Sequence, residues 1–259
     1  MIVQFYKYQG TGNDFILIDD RSENIDLNKD HISKLCSRKY GIGSDGIIII
    51  REKLGYDFEM IFYNPDGSQS FCGNGSRCAV LFAYHMGIIA RKTKFLSTDG
   101  EHEAIVKDGS LVELKMNDPT VFSHKGNQTF FINTGSPHHV EFRDEIDSID
   151  FLNESKKIRF NNEYATDGVN VNFVEKNAVG IKMRTYERGV EDETLSCGTG
   201  VTAAALAFAN HESNDCNEVE VLTAGGNLKV RYNKSNESFS DIWLIGPAQY
   251  VFKGDMDVS

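Results

Sequence analysis

The chain has 259 residues, 40% of them apolar and 25% charged, which is the composition of an ordinary globular protein with room for one large domain or two small ones. Its 27 basic and 38 acidic residues leave a formal charge of −11. With no dense Lys/Arg run, this balance argues against a general nucleic-acid binder, because phosphate affinity depends on basic surface.

The N-terminal stretch "MIVQFYKYQGTGNDF" alternates apolar and polar residues, which predicts a strand, and it lacks the basic and apolar regions of a signal peptide. A β-hairpin is expected there, followed by an amphipathic helix near Lys29 to Lys39 that Gly41 stops. Strands are expected over Gly46 to Glu52 and Phe58 to Tyr63, then a loop that ends at Cys72. The helix that follows, "RCAVLFAYHMG", closes on Gly87 as a left-handed terminator. Strands over Lys94 to Thr98 and Leu111 to Met116 complete the first half. The apolar run Ala79 to Met86 falls far short of the roughly 20 residues a membrane span needs. A soluble, cytosolic protein with no membrane partner is expected.

Five cysteines (Cys36, Cys72, Cys78, Cys197 and Cys216) make an odd count without an export signal, so thiols are expected rather than a disulfide framework. Cys72 and Cys78 are six apart, Cys197 has no near cysteine, and no HxxxH pair lies beside them. That spacing gives no metal site.

The second half repeats the first. "TGNDF" at Thr11 faces "TGSPH" at Thr134, an offset of 123, and "SDGIII" at Ser44 faces "TDGVNV" at Thr166, an offset of 122. Cys72 in "SFCGNG" faces Cys197 in "LSCGTG" at 125, "LSTDG" faces "LTAGG", and Pro119 faces Pro247 at 128. So small a drift over most of the chain signals a duplicated unit. The expected architecture is α/β (α+β), with two pseudo-symmetric lobes. Each is a curved mixed sheet around a central helix, with an active site in the cleft between them. The expected lobes are 1–117, completed by 247–259, and 118–246. The second central helix, "VTAAALAFAN", is expected to end at Asn210. Both central helices are apolar nearly all round, the pattern of a helix buried on most sides.

A cysteine before Gly-Asn-Gly or Gly-Thr-Gly sits where the chain turns into a helix. The unpaired N–H groups and the positive end of the dipole there bind anions and favour thiolate. A lone cysteine in that place is more often a small buried hydrophobe. Two at equivalent points of a duplication point instead to a two-base device, in which one thiolate removes a carbon-bound proton and the opposite thiol returns one to the other face. The developing negative charge would rest on the helix-start N–H groups. Cys36, Cys78 and Cys216 have no such symmetry and are given no role.

"GTGNDF", "GIGSDG", "FYNPDGSQSFCGNGSRC", "GSPH" and "YERGVEDETLSCGTG", together and covering nearly the whole chain, resemble the diaminopimelate epimerase family. The resemblance implies a pyridoxal-independent, cofactor-free interconversion of LL- and meso-2,6-diaminopimelate, a step toward lysine and peptidoglycan, and a homodimer. It implies Cys72 and Cys197 as the acid/base pair. It implies Asn13, Asn64, Asn170, Glu187 and Arg188 as substrate-binding residues, with Gly73, Asn74, Gly198 and Thr199 as helix-start contacts. By the same resemblance His138 and Glu187 would tune the thiols, a structural histidine being the alternative reading of His138. Arg188 suits the distal carboxylate by a bidentate pair, although a surface ion pair is the alternative reading. "NPDG" at Asn64 is itself a strong turn sequence. In two places the chain departs from the pattern: Ser136 stands where many members have asparagine, and Gly46 where some have glutamine. A hydroxyl at 136 can still donate and accept, directly or through water.

Competing readings are a proline or hydroxyproline racemase, an isomerase of the phenazine-biosynthesis type, a non-catalytic amino-acid-binding protein and a dithiol redox switch. The distal set Asn64, Asn170 and Glu187-Arg188 separates the first, since a short cyclic substrate does not require it. The pair of cysteines separates the second.

Overall fold

A computed structural model describes residues 2–126, 128–212, 216–236 and 238–257. In chain order its elements are β1 (Ile2–Gly10), β2 (Asn13–Asp19), α1 (Lys29–Cys36), β3 (Gly46–Arg51), β4 (Phe58–Tyr63), α2 (Gly73–His85), β5 (Lys92–Ser97), β6 (Gly100–Val106) and β7 (Leu111–Lys115). Then come β8 (Val121–His124), β9 (Thr129–Asn133), β10 (Pro137–Phe142), α3 (Phe151–Arg159), β11 (Asn170–Lys176), β12 (Gly180–Glu187), β13 (Asp192–Thr194) and α4 (Gly198–His211). The chain ends with β14 (Glu218–Thr223), β15 (Gly226–Ser235), β16 (Ser238–Pro247) and β17 (Gln249–Asp257). Two compact units result: one runs to Leu114 and resumes at Gly246, and the other spans Lys115–Ile245.

The internal repeat of the sequence reappears as a repeat of strand pairing. In the first unit β1–β2 is antiparallel, β2–β3 parallel, β3–β4 antiparallel, β4–β5 parallel, and β5–β6 and β6–β7 antiparallel. In the second, β9–β10, β10–β11, β11–β12, β12–β14, β14–β15 and β15–β16 follow the same alternation. β17 pairs with β1 as β8 pairs with β9, both antiparallel. The α/β expectation therefore holds in detail, down to the order of parallel and antiparallel ladders.

Each unit buries one helix. Gly73 to Ala83 of α2 are all buried, and α2 packs on β1, β2, β3, β4, β6 and β17. α4 packs on β9, β10, β11, β12, β14 and β15, with Val201 to Ala209 buried. A helix touches strands so far apart in one ladder only if the sheet curls around it, and a helix so surrounded can afford no polar face. The continuous run "GIIIIR" of β3, buried from Gly46 to Ile50, supplies part of that wall. Such a strand, covered on both faces, loses the polar alternation of a surface strand.

α2 ends as expected. Gly87 has φ +69, its N–H donates to Tyr84 O at 3.1 Å, and Ile88 N–H donates to Ala83 O at 2.9 Å, which together make a Schellman terminus. Two expected stops are corrected. α4 runs through Asn210 to His211, because asparagine only weakly disfavours a helix whose other face is buried. α1 ends at Cys36 rather than near Lys39, where Ser37 turns to an extended backbone. Gly41 lies beyond the helix end and is a close-packing position: a Cβ there would lie 1.9 Å from Lys34 O. Among the described residues no helix is long and apolar enough to cross a membrane.

Candidate active site

The first half-site is built on the start of α2. Cys72 is its N-cap, in an extended conformation that folds the side chain over the first turn, and Sγ accepts from Gly75 N–H at 3.4 Å. Across from it lies the tight link between β1 and β2, where Thr11 has φ +50 and Gly12 φ +83. That turn delivers Asn13, whose Oδ1 accepts from Asn74 Nδ2 at 3.4 Å and from the Cys72 thiol at 3.8 Å. Asn13 Nδ2 donates to Asp45 Oδ2 at 2.6 Å, which fixes which end of the amide faces the cysteine. Asp45 in turn accepts from Arg38, which also pairs with Asp14. Burial raises the Asp14 pKa, but the bonds from Arg38 and Lys7 outweigh it and hold the carboxyl below its ordinary value.

Asn64 opens the turn that leads to Cys72. Gly67 N–H donates to Asn64 O at 2.9 Å with Gly67 at φ +82, so the turn reading of "NPDG" is realised. The Asn64 side-chain nitrogen donates to Ser68 and Ser70, which leaves its oxygen to meet water or a ligand. Gly46 lies at the start of β3. A side chain there would strike Phe62 at 2.3 Å, and Ser44 Oγ engages both its N–H and its carbonyl. Hence the packing of β3 on β4 explains its glycine.

The second half-site is built on the start of α4, with Cys197 as N-cap. Its Sγ lies 3.4 Å from Thr199 Oγ1, and Thr199 Oγ1 lies 2.9 Å from Nε2 of the buried His138. On the other side of the ring, Asn172 Nδ2 lies 3.1 Å from His138 Nδ1. The Asn172 amide is oriented by donating to His139 O and accepting from Thr185 Oγ1, so it donates to Nδ1. The His138 proton is therefore on Nε2 and points at Thr199, which frees the threonine hydroxyl proton for the Cys197 sulfur. Burial, helped by the charge of Arg188, pushes the His138 pKa down to about 3, so the ring is neutral at neutral pH.

Asn170, the first residue of β11, ties together the remaining residues. Its Nδ2 donates to Ser136 Oγ at 2.9 Å and Pro137 O at 3.2 Å, and its Oδ1 accepts from Arg188 N–H at 2.9 Å. Glu187 ends β12 and Arg188 opens the turn that follows, closed by Glu191 N–H to Glu187 O at 2.8 Å. Arg188 Nη1 donates to Asp167 O at 2.7 Å, packed so closely on Gly168 that a Cβ there would lie 2.6 Å from Arg188 Cδ. Arg159 braces the same turn through Glu191 at 2.9 Å.

The first unit thus joins Asn13, Cys72, Gly73 and Asn74, and the second joins Ser136, His138, Asn170, Glu187, Arg188, Cys197, Gly198 and Thr199. Asn64 is held by its own loop, and Gly46 by Ser44. Sequence reasoning missed Asp45, Asn172 and Arg159. Asp45 lay in "SDG", whose repeat partner "TDG" holds Asp167, so the duplication already carried a signal for it. Cys36 and Cys78 are buried and Cys216 is exposed, with no disulfide at any of the five cysteines.

The sequence profile of the diaminopimelate epimerase family matches residues 5–122 and 130–251. The chain belongs to that family. A diaminopimelate epimerase of Flavobacterium psychrophilum is 45% identical over 254 residues, covering 97% of this chain and 99% of the relative. One from Aquifex aeolicus is 38% identical over 272 residues, covering 97% of both chains. Among solved structures, a phenazine biosynthesis protein of the PhzF family from Bacillus anthracis superposes with TM-score 0.78 at 12% identity, covering 99% of each chain. A hydroxyproline epimerase from Agrobacterium vitis superposes with TM-score 0.66 at 14% identity, covering 98% of this chain and 91% of the other. At those identities the likeness is one of fold, which the diaminopimelate epimerase family shares with enzymes of other substrates.

Proposed function

We propose that the protein interconverts LL- and meso-2,6-diaminopimelate, with Cys72 and Cys197 as the acid/base pair and no cofactor. The observation that carries the reading is the equivalence of the two thiols. Each N-caps a buried, glycine-started helix at the same point of a duplicated unit, in a chain of this family. In one direction the first thiolate takes the α-proton, and the second thiol delivers its own proton to the opposite face. The reverse direction exchanges the roles, and each turnover leaves one thiolate and one thiol. Two thiols acting on one α-carbon from opposite faces invert it without any electron sink beyond the substrate carboxylate. The N–H groups at the starts of α2 and α4 suit that carboxylate as it gains enolate character.

Specificity for a substrate with two amino-acid ends calls for a second recognition set. Arg188 suits the distal carboxylate, while Glu187, Asn13, Asn64 and Asn170 suit its ammonium and remaining oxygens. Neutral His138 acts on Cys197 through Thr199. In the cell the enzyme is read as a cytoplasmic homodimer that supplies lysine and peptidoglycan precursors. The exposed Tyr250, Val251 and Phe252 of β17 support association.

The test is incubation of the reduced protein with LL-diaminopimelate in heavy water, without added cofactor. Deuterium at the α-carbon and approach to an LL/meso equilibrium are expected, and their absence with both thiols reduced overturns the reading. Light scattering checks the dimer.

A further inference from the structure

Arg77, on the second turn of α2, is 0% exposed. Its Nη2 donates to Asn74 Oδ1 at 2.9 Å and to Thr11 Oγ1 at 3.1 Å, and longer bonds of 3.5 Å reach Gly73 O and Pro247 O. Among the described residues no carboxylate pairs with it, and its charge interacts instead with Cys78 and Cys72. Burial without a carboxylate pushes its pKa down to about 10, which leaves it protonated at neutral pH. A buried charge without a carboxylate partner is among the costlier features a core can hold.

We propose that Arg77 is the positioning residue of the first half-site: it locks Asn74 and the Thr11–Asn13 turn against the start of α2 and supplies the fixed positive charge that favours the Cys72 thiolate. The assignment rests on Cys72 acting as an acid/base. Three observations carry it. First, Arg77 touches the two segments that present Asn13 and Asn74, both of which reach the cysteine. Strand β1 comes so close that a Cβ on Gly10 would lie 3.2 Å from Asn74 O and 3.5 Å from Arg77 Nη2. Second, of the two thiols near the guanidinium, burial drives Cys78 strongly upward and keeps it protonated. The half-buried Cys72 is the one left to ionise.

Third, the fold itself does not demand a cation there. The repeat-equivalent position on α4 is Thr202, equally buried, whose hydroxyl simply bonds Gly198 O at 3.0 Å. The other ionisable groups around this knot are Tyr8 on β1 with Tyr250 on β17, Asp14 and its partner Lys7, and His102 on β6. Burial holds the Tyr8 phenol neutral, and Asp14 is neutralised by Lys7 and Arg38.

The experiment follows the pH dependence of iodoacetamide alkylation at Cys72 and at Cys197, each read by mass spectrometry of its own peptide, in the full chain. In the wild type, Cys72 is expected to ionise at lower pH than Cys197, and the opposite order overturns the charge assignment whatever the variants do. Arg77→Met and Arg77→Gln, checked for folding by circular dichroism, are expected to raise the Cys72 midpoint by about one pH unit and to lower kcat at pH 7 about tenfold. The Cys197 midpoint should stay in place. Arg77→Lys is expected to keep the midpoint but raise KM, because one ammonium cannot span Asn74 and Thr11 as a planar fork does. A folded Arg77→Met or Arg77→Gln enzyme with an unchanged Cys72 profile overturns the proposal. Alkylation needs no substrate, so its failure is distinct from the failure of wild-type protein to epimerise diaminopimelate.

Discussion

The two half-sites share a backbone plan but surround their sulfurs with different side chains. Cys72 caps α2, is half-buried, and lies over a cationic floor at Arg77, beside Asn13 and its carboxylate tether Asp45. Cys197 is buried and lies beside a chain of hydrogen bonds, His138 to Thr199 to Sγ, whose imidazole is held neutral by burial and by the charge of Arg188. The duplication preserved what positions the two sulfurs, namely glycine-started helices and curled sheets. Around them it placed the buried Arg77 near one helix start and a hydrogen-bonded imidazole, His138, near the other. The two-base reading proposed above requires one thiol ionised and the other protonated, and two different environments are a direct way to obtain them.

The bluntest test of the comparison removes each sulfur in turn. Cys72→Ala and Cys197→Ala should each lower epimerisation by about 10²–10⁴-fold, as expected for loss of a general acid or base. Unequal loss of α-proton exchange in heavy water between the two would show which thiol starts from which substrate. Survival of turnover in both would remove the pair from the chemistry.

A second contrast lies in pH. His138 is held far below its unfolded value, so the unfolded chain binds the proton first. Stability is full above about pH 6.5 and falls as pH drops toward about 3, with on the order of 2–3 kcal/mol lost by pH 4.5 from this group. Chemical denaturation at pH 7 and pH 4.5 should show that His138→Gln flattens this loss. An unaltered pH slope would mean that the ring takes a proton in the native state.

A third contrast uses the matching glycines. An alanine at Gly200 would bring its Cβ to 2.8 Å from Asn172 Oδ1 and 3.2 Å from His138 Cε1, whereas at Gly75 it meets the terminal methyl of Ile48 at 3.1 Å. Gly200→Ala should cost about 1–3 kcal/mol and lower kcat by displacing the relay. Gly75→Ala should cost less than about 1 kcal/mol. Thermal melts and initial rates of the two variants check the order.

The smallest expected effect is at Asp45. Asp45→Asn keeps the shape but frees the Asn13 amide to rotate, so KM should rise about threefold to tenfold with kcat little changed, the loss of about one hydrogen bond to a charged group. An unchanged KM would mean that the helix start alone positions Asn13.

Much of this was legible in the chain itself, because the relevant signals are local or periodic. The constant offset between "FCGNG" and "SCGTG" announced two equivalent units, the all-round apolar helices announced curled sheets, and Gly87 announced the Schellman end of α2. Local signals failed where packing outweighed them. Asn210 carries a weak preference that a buried helix overrides, and the lack of a Cβ at Gly41 serves contact with Lys34 O rather than the end of α1. At Asn64 and Gly46 the structure shows a turn and a close packing contact, which local sterics account for.

The sequence by itself determined the duplicated α/β plan, the family and the equivalence of two helix-start cysteines, because helix periodicity, glycine placement and repeat spacing are properties of short segments. Only the tertiary structure decided the environments of those thiols. Arg77 meets Thr11 across 66 residues, Asn13 meets Asp45 across 32, and His138 meets Thr199 across 61. Charge state and hydrogen-bond direction depend on such distant partners and on burial, and neither can be read from the neighbours along the chain.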